Sequence, residues 1–103
     1  MIPEIDVHET KTRMADGAVL VDVREQNEFD AERIPNSILI PQSEFAARFE
    51  ELPKDKALIM QCRSGARSGR AAEFLLNNGY ENVVNMAGGI LAWKEAEYET
   101  TLG

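Results

Sequence analysis

Residues 57–78 read ALIMQCRSGARSGRAAEFLLNN. The apolar run Ala57-Leu58-Ile59-Met60 leads into Cys62, the one cysteine of the chain. Six residues, Cys62-Arg63-Ser64-Gly65-Ala66-Arg67, then lead into a helix expected to open near Ser68. The order is strand, nucleophile loop, helix N-terminus. A strand holds the sulfur at the end of a rigid element. A small, glycine-containing loop lets backbone N–H groups curl inward, and the helix start adds unpaired N–H donors and the positive end of a dipole. The product is an anion-binding bowl with a sulfur at its base. A thiolate needs such surroundings at neutral pH, and the thiolate, not the thiol, is the nucleophile.

Upstream of this stretch, Asp6-Val7-His8-Glu9 has capping-box spacing and predicts a helix over residues 7–15, stopped at Gly17. Ala18-Val19-Leu20-Val21-Asp22-Val23 is β-branched and almost wholly apolar up to Asp22, the pattern of a strand buried in a parallel sheet. Residues 24–31 are polar apart from Phe29 and Ala31 and have room for a short helix. Pro35-Asn36 signals a turn, Ser37-Ile38-Leu39-Ile40 a second buried strand, and Ser43 the cap of a helix reaching Glu51. Downstream, Asn78-Gly79 closes the central helix and residues 81–85 form the last strand. Met86-Ala87-Gly88-Gly89 makes a turn before a helix carrying Ile90, Leu91, Trp93 and Ala96, and residues 97–103 are expected to fray. Strands alternate with helices, so an α/β fold with a mainly parallel sheet is expected, its site beyond the carboxyl ends of the strands.

The 103 residues amount to one domain, 1–103, able to bury roughly 60–70% of its unfolded surface without disulfide or metal staples. A net charge of −7 argues against a general binder of nucleic acid or of anionic membranes. One cysteine forms no internal disulfide, which suits a reducing compartment. The first six residues lack the features of a signal peptide, and no apolar stretch approaches the ~20 residues that cross a bilayer, so a cytoplasmic protein is expected. No His/Cys/carboxylate cluster has metal-ligand spacing, and neither a metal nor another cofactor is expected. A monomer or weak dimer is expected.

Four motifs resemble those of the single-domain rhodanese (thiosulfate sulfurtransferase) family: Asp22-Val23-Arg24-Glu25; Ile34-Pro35 followed by Ile40-Pro41; the loop Cys62-Arg63-Ser64-Gly65-Ala66-Arg67-Ser68; and Gly88-Gly89-Ile90 with Trp93 three further on. Together they span nearly the whole chain. Glu32-Arg33 and Asn36-Ser37 stand where many members carry Gly-His and Gly-Ala. The resemblance implies a three-layer fold, a mainly parallel central sheet flanked by helices. It also implies a persulfide route, in which Cys62 takes a sulfane sulfur from thiosulfate or another donor and passes it to cyanide, a thiol or a protein acceptor. Loop N–H groups from Arg63 through Ser64, Gly65, Ala66 and Arg67 to Ser68 would donate to the sulfur anion, each worth about 3–4 kcal/mol when aimed at developing charge.

Individual residues carry competing readings. Cys62 as a buried structural cysteine would explain neither Gly65 nor the arginines beside it. Arg67 and Arg63 would attract a dianionic donor, although the Arg63 side chain could point to solvent. Asp22 is either a brace for the loop or for an arginine, or a surface charge at a strand end. Arg24 is read as a structural partner of a carboxylate, Arg70 and His8 as exposed, Gly88-Gly89 as a tight turn and Trp93 as packing. Phosphatases of the same broad fold place five residues between cysteine and arginine; here four separate Cys62 from Arg67. A persulfide carrier or regulatory module serving one protein partner would use the same loop.

Overall fold

The computed structural model describes residues 2–103. Its sheet is built around β5 (Leu58–Gln61), all four residues of which are buried. On one side β5 pairs with β2 (Val19–Asp22), which pairs with β4 (Ile38–Leu39). On the other it pairs with β6 (Val83–Met86), which pairs with β1 (Glu4–Ile5). Every pairing in this five-stranded sheet is parallel, and Leu20, Ile59 and Val84 stand abreast across its middle.

Successive strand residues face opposite ways, and both faces are covered. On one face Leu20, Ile59 and Met86 pack with Val7 of α1 (Val7–Ala15) and with Ile90 and Trp93 of α5 (Gly89–Glu95). On the other, Val21, Val23, Met60 and Cys62 pack with Phe45 of α3 (Phe45–Arg48) and with Ala72 and Leu75 of α4 (Ala66–Leu76). This double burial is why β2 and β5 read as unbroken apolar runs. The three-layer α/β architecture expected from the sequence is the one observed. The carboxyl ends of β2 and β5 lie side by side, Asp22 opposite Gln61.

Local differences from the sequence reading have identifiable causes. Helix α4 opens at Ala66, two residues earlier than expected, because Gly65 takes a left-handed conformation (φ 109°) that turns the chain directly into it. Ser43 does not cap a helix. Its hydroxyl and N–H both go to the Glu25 carboxylate, and residues 42–51 form 3-10 turns on either side of the single α turn of α3. Ile38 is 42% exposed, since β4 is an edge strand. Asp6 caps α1 as expected, but Glu9 turns its carboxylate to Arg13 instead of closing the box.

The tail does not end in frayed chain. β7 (Thr101–Leu102) pairs antiparallel with β3 (Glu32–Arg33), and Thr100 and Lys94 both reach the Glu32 carboxylate. Trp93 Nε1 donates to Glu99 O at 2.8 Å, anchoring the segment where it leaves α5. A two-residue ribbon has no periodicity for a sequence to reveal.

Candidate functional site

Cys62 follows β5 directly and is 1% exposed. Gly65 N–H donates to its Sγ at 3.1 Å, and Ser68 Oγ lies 3.4 Å from the sulfur. Burial pushes the thiol pKa up. The Ser68 hydroxyl and the N–H groups of Ser68, Gly65 and Ser64 more than offset this, and the pKa lies below its ordinary value. The donors that carry this effect are short-range and specific. Ala66 and Arg67, expected in the loop, join Ser68 in the first turn of α4, which is how the N–H of Ser68 comes to bear on the sulfur.

Loop N–H groups can face the sulfur only if the carbonyls are held elsewhere. Cys62 O accepts from Ile90 N at 2.9 Å and from Gln61 Nε2 at 2.8 Å, and Arg63 O accepts from Leu91 N at 3.2 Å. The start of α5 therefore grips the outer side of the loop. Gly89 permits this approach. A Cβ there would sit 2.3 Å from Arg63 O and 2.5 Å from Cys62 O. Gly88-Gly89 makes the expected turn, and its second glycine also abuts the Cys62 loop.

Asn85 completes the inner side. Its Oδ1 lies 2.6 Å from Ser68 Oγ, while its Nδ2 donates to Gly65 O at 3.1 Å and to Glu4 Oε2 at 2.9 Å. The sequence reading missed Asn85, Gln61 and Glu28. The only trace of the first two is a polar residue inside an otherwise apolar strand.

Arg67, expected to close the loop and attract an anionic donor, forms a bidentate pair with Glu28 of α2 (Gln26–Ala31), at 2.8 and 3.0 Å. Hydrogen bonding to Arg67 holds the Glu28 pKa down at about 2. Among the described residues Arg63 and Arg70 make no ion pair. Exposed Arg63 lines a cleft with Leu91 and Lys94 on the α5 side, and Arg70 lines one with Phe45 and Phe74 on the α3 side.

Asp22 is no surface charge. It is fully buried and accepts from the N–H and guanidinium of Arg24, whose NH2 group also donates to Glu32 O at 2.7 Å. The pair joins the end of β2 to β3. His8 is exposed on α1, and its ring nitrogen bonds the Tyr98 hydroxyl.

The arrangement defines a class: an α/β domain with one buried, donor-stabilised cysteine at the carboxyl edge of a parallel sheet. Comparison with known proteins narrows it. Residues 6–96 match the Rhodanese-like domain. A sulfurtransferase of Allochromatium vinosum is 40% identical, over 90% of this chain and 89% of that protein. The thiosulfate sulfurtransferase GlpE of Pseudomonas syringae is 34% identical, over 84% of this chain and 81% of that protein. The crystal structure of a rhodanese-related protein from Thermoplasma volcanium superposes with a TM-score of 0.91 at 35% identity, covering 98% of this chain and 99% of that one. The chain belongs to the rhodanese-like domain family.

Proposed function

We propose that this domain is a sulfurtransferase working through a Cys62 persulfide. The Cys62 thiolate attacks the outer sulfur of thiosulfate or of a persulfide donor. A new S–S bond forms, the old one breaks, and sulfite or a thiolate leaves with the electron pair. The outer sulfur now carries the negative charge. Cyanide, a small thiol or a protein thiol then attacks that sulfur and regenerates the Cys62 thiolate. Neither step calls for a metal or a cofactor, and a reactive lone thiol suits the reducing cytoplasm.

The observation that carries this reading is the convergence of Gly65 N–H and the Ser68 hydroxyl on one sulfur atom, with the helix starting four residues after Cys62. A bowl this tight supports a single sulfur over a tetrahedral phosphate. The names and similarity of the relatives support the same chemistry. Arg63 and Arg70, both exposed, supply positive charge for an anionic donor on a chain of net charge −7.

Intact mass after exposure to thiosulfate, and separately to a persulfide donor, tests the reading. A gain of one sulfur atom, removed by cyanide, is expected. Cys62→Ser should show no gain while unfolding at nearly the same denaturant concentration. A wild-type chain that gains no sulfur from either donor would sink the proposal. So would transfer that survives in Cys62→Ser.

A further inference from the structure

Ser68 has one hydroxyl proton and three acceptors around it: Asn85 Oδ1 at 2.6 Å, Gly65 O at 3.2 Å and Cys62 Sγ at 3.4 Å. Asn85 is 2% exposed, and its amide has one possible orientation. Its Nδ2 faces Gly65 O and Glu4 Oε2, neither of which can donate, so Oδ1 must face Ser68. The serine proton thus has two buried claimants, an amide oxygen and a sulfur.

We infer that Asn85 is a positioning residue that shares the Ser68 proton with Cys62, taking it whenever the cysteine sulfur carries no charge. In the thiol, S–H donates to Ser68 Oγ and the hydroxyl donates to Asn85. In the thiolate, the hydroxyl turns to the sulfur and Asn85 Oδ1 loses its donor. The last state rests on the persulfide reading given above. When a sulfane sulfur is loaded, the charge moves to the outer sulfur, the inner Sγ is neutral, and the hydroxyl returns to Asn85. Ionisation of the thiol releases the S–H proton; loading then releases none, and one hydroxyl rotates. The amide therefore holds the bare thiolate slightly above its lowest energy and favours the loaded form.

Other charges surround the loop. Glu4 reaches it from β1 through Asn85, and Arg67 from α4 with its partner Glu28. Arg63 lies on the loop; Asp22 and Arg24 are paired at the end of β2, and Lys94 of α5 is paired with Glu32. The test must separate the amide from all of these.

The test is the pH midpoint of Cys62 alkylation by iodoacetamide. Asn85→Leu frees the Ser68 hydroxyl for the sulfur, and the midpoint should fall by about half a unit to one unit, the scale of redirecting one hydrogen bond. Asn85→Asp should raise it. Loosening of the loop would raise both, because it would weaken the N–H donors. In a Ser68→Ala background, Asn85→Leu should no longer move the midpoint, and the charges around the loop cancel in that comparison. A midpoint that rises in Asn85→Leu, or a fall that persists without the serine hydroxyl, overturns the inference. The second readout is the fraction loaded at equilibrium with a persulfide donor, which should drop severalfold in Asn85→Leu. An unchanged fraction overturns the return of the proton to Asn85. Failure of the wild type to load at all speaks against the transfer chemistry, whereas the alkylation midpoints judge the amide independently.

Discussion

Helices α4 and α5 begin alike and act differently. Each is preceded by a left-handed glycine, Gly65 at φ 109° and Gly88 at φ 82°, and neither has a side-chain cap. Both leave their first N–H groups without intrahelical partners. At α4 the N–H of Ser68, with those of Gly65 and Ser64 just before the helix, turns toward a sulfur. At α5 they go to the carbonyls of Cys62 and Arg63. One start forms the receptor; the other holds it in shape from behind. A helix N-terminus near a reactive atom is thus no measure of its part in the chemistry. What its donors face decides that.

The largest effect that would break this division is expected from Gly89→Ala. A Cβ would collide with backbone oxygens at 2.3 and 2.5 Å, so the loop has to move. Sulfur transfer should drop about 100-fold, the scale that a 1 Å misplacement produces. Stability should fall by roughly 1–3 kcal/mol from the strained φ of 60° alone. Initial rates and urea midpoints measure the two. Wild-type transfer in this variant would mean that α5 does not shape the loop.

Gly65→Ala sharpens the contrast. Its φ of 109° is also unfavourable for alanine, but the nearest atom to a new Cβ would be Gly88 N at 3.5 Å, an ordinary contact. The expected result is a loss of stability of about 1–2 kcal/mol with transfer reduced less than tenfold. Equal kinetic damage from the two glycine variants would erase the distinction between the two helix starts.

The smallest effect concerns the charge beside α4. Glu28 has its folded pKa lowered from 4.5 to about 2 by Arg67. Its contribution to stability is therefore fully present above pH 4.5 and is lost as the pH falls through about 2. The pair is about one-quarter exposed, so less than about 1 kcal/mol is expected at neutral pH. Glu28→Gln should lose that increment and flatten the acid limb of the stability curve, read by urea unfolding at pH 6 and pH 3. It should also leave Arg67 uncompensated and shift Cys62 alkylation slightly to lower pH. A midpoint that does not move would show that Arg67 has no electrostatic reach to the sulfur.

What the sequence disclosed was what is local. The apolar run of β5, the lone cysteine, Gly65 and the helix behind it are contiguous, and their spacing alone implies the bowl. Burial of β2 on both faces was legible because a two-sided strand cannot alternate. The rest depends on partners far along the chain. Arg67 meets Glu28 across 39 positions, and Asn85 meets Ser68 across 17. Nothing in either neighbourhood names the other. The Glu28 partner of Arg67 was not legible because a charge in sequence carries no sign of its counterion. Asp22 stood between two readings because burial, not residue type, decides between a brace and a surface charge. Gly89 looked like a turn residue, and its contact with the loop depends on how α5 docks.

The parallel sheet has one more consequence, for the order in which the chain can fold. β5 is flanked by strands from residues 19–22 and 83–86, and β1 at residues 4–5 pairs only with β6. Such pairings close long loops before they return any stabilisation, which makes them slow. The Glu4–Asn85 bond and the α5 grip on the loop both require segments beyond residue 80 to be in place. The hold on the outer and inner sides of the Cys62 loop is therefore completed from the last third of the chain, so the loop's final shape waits on the pairing of β6 and the docking of α5.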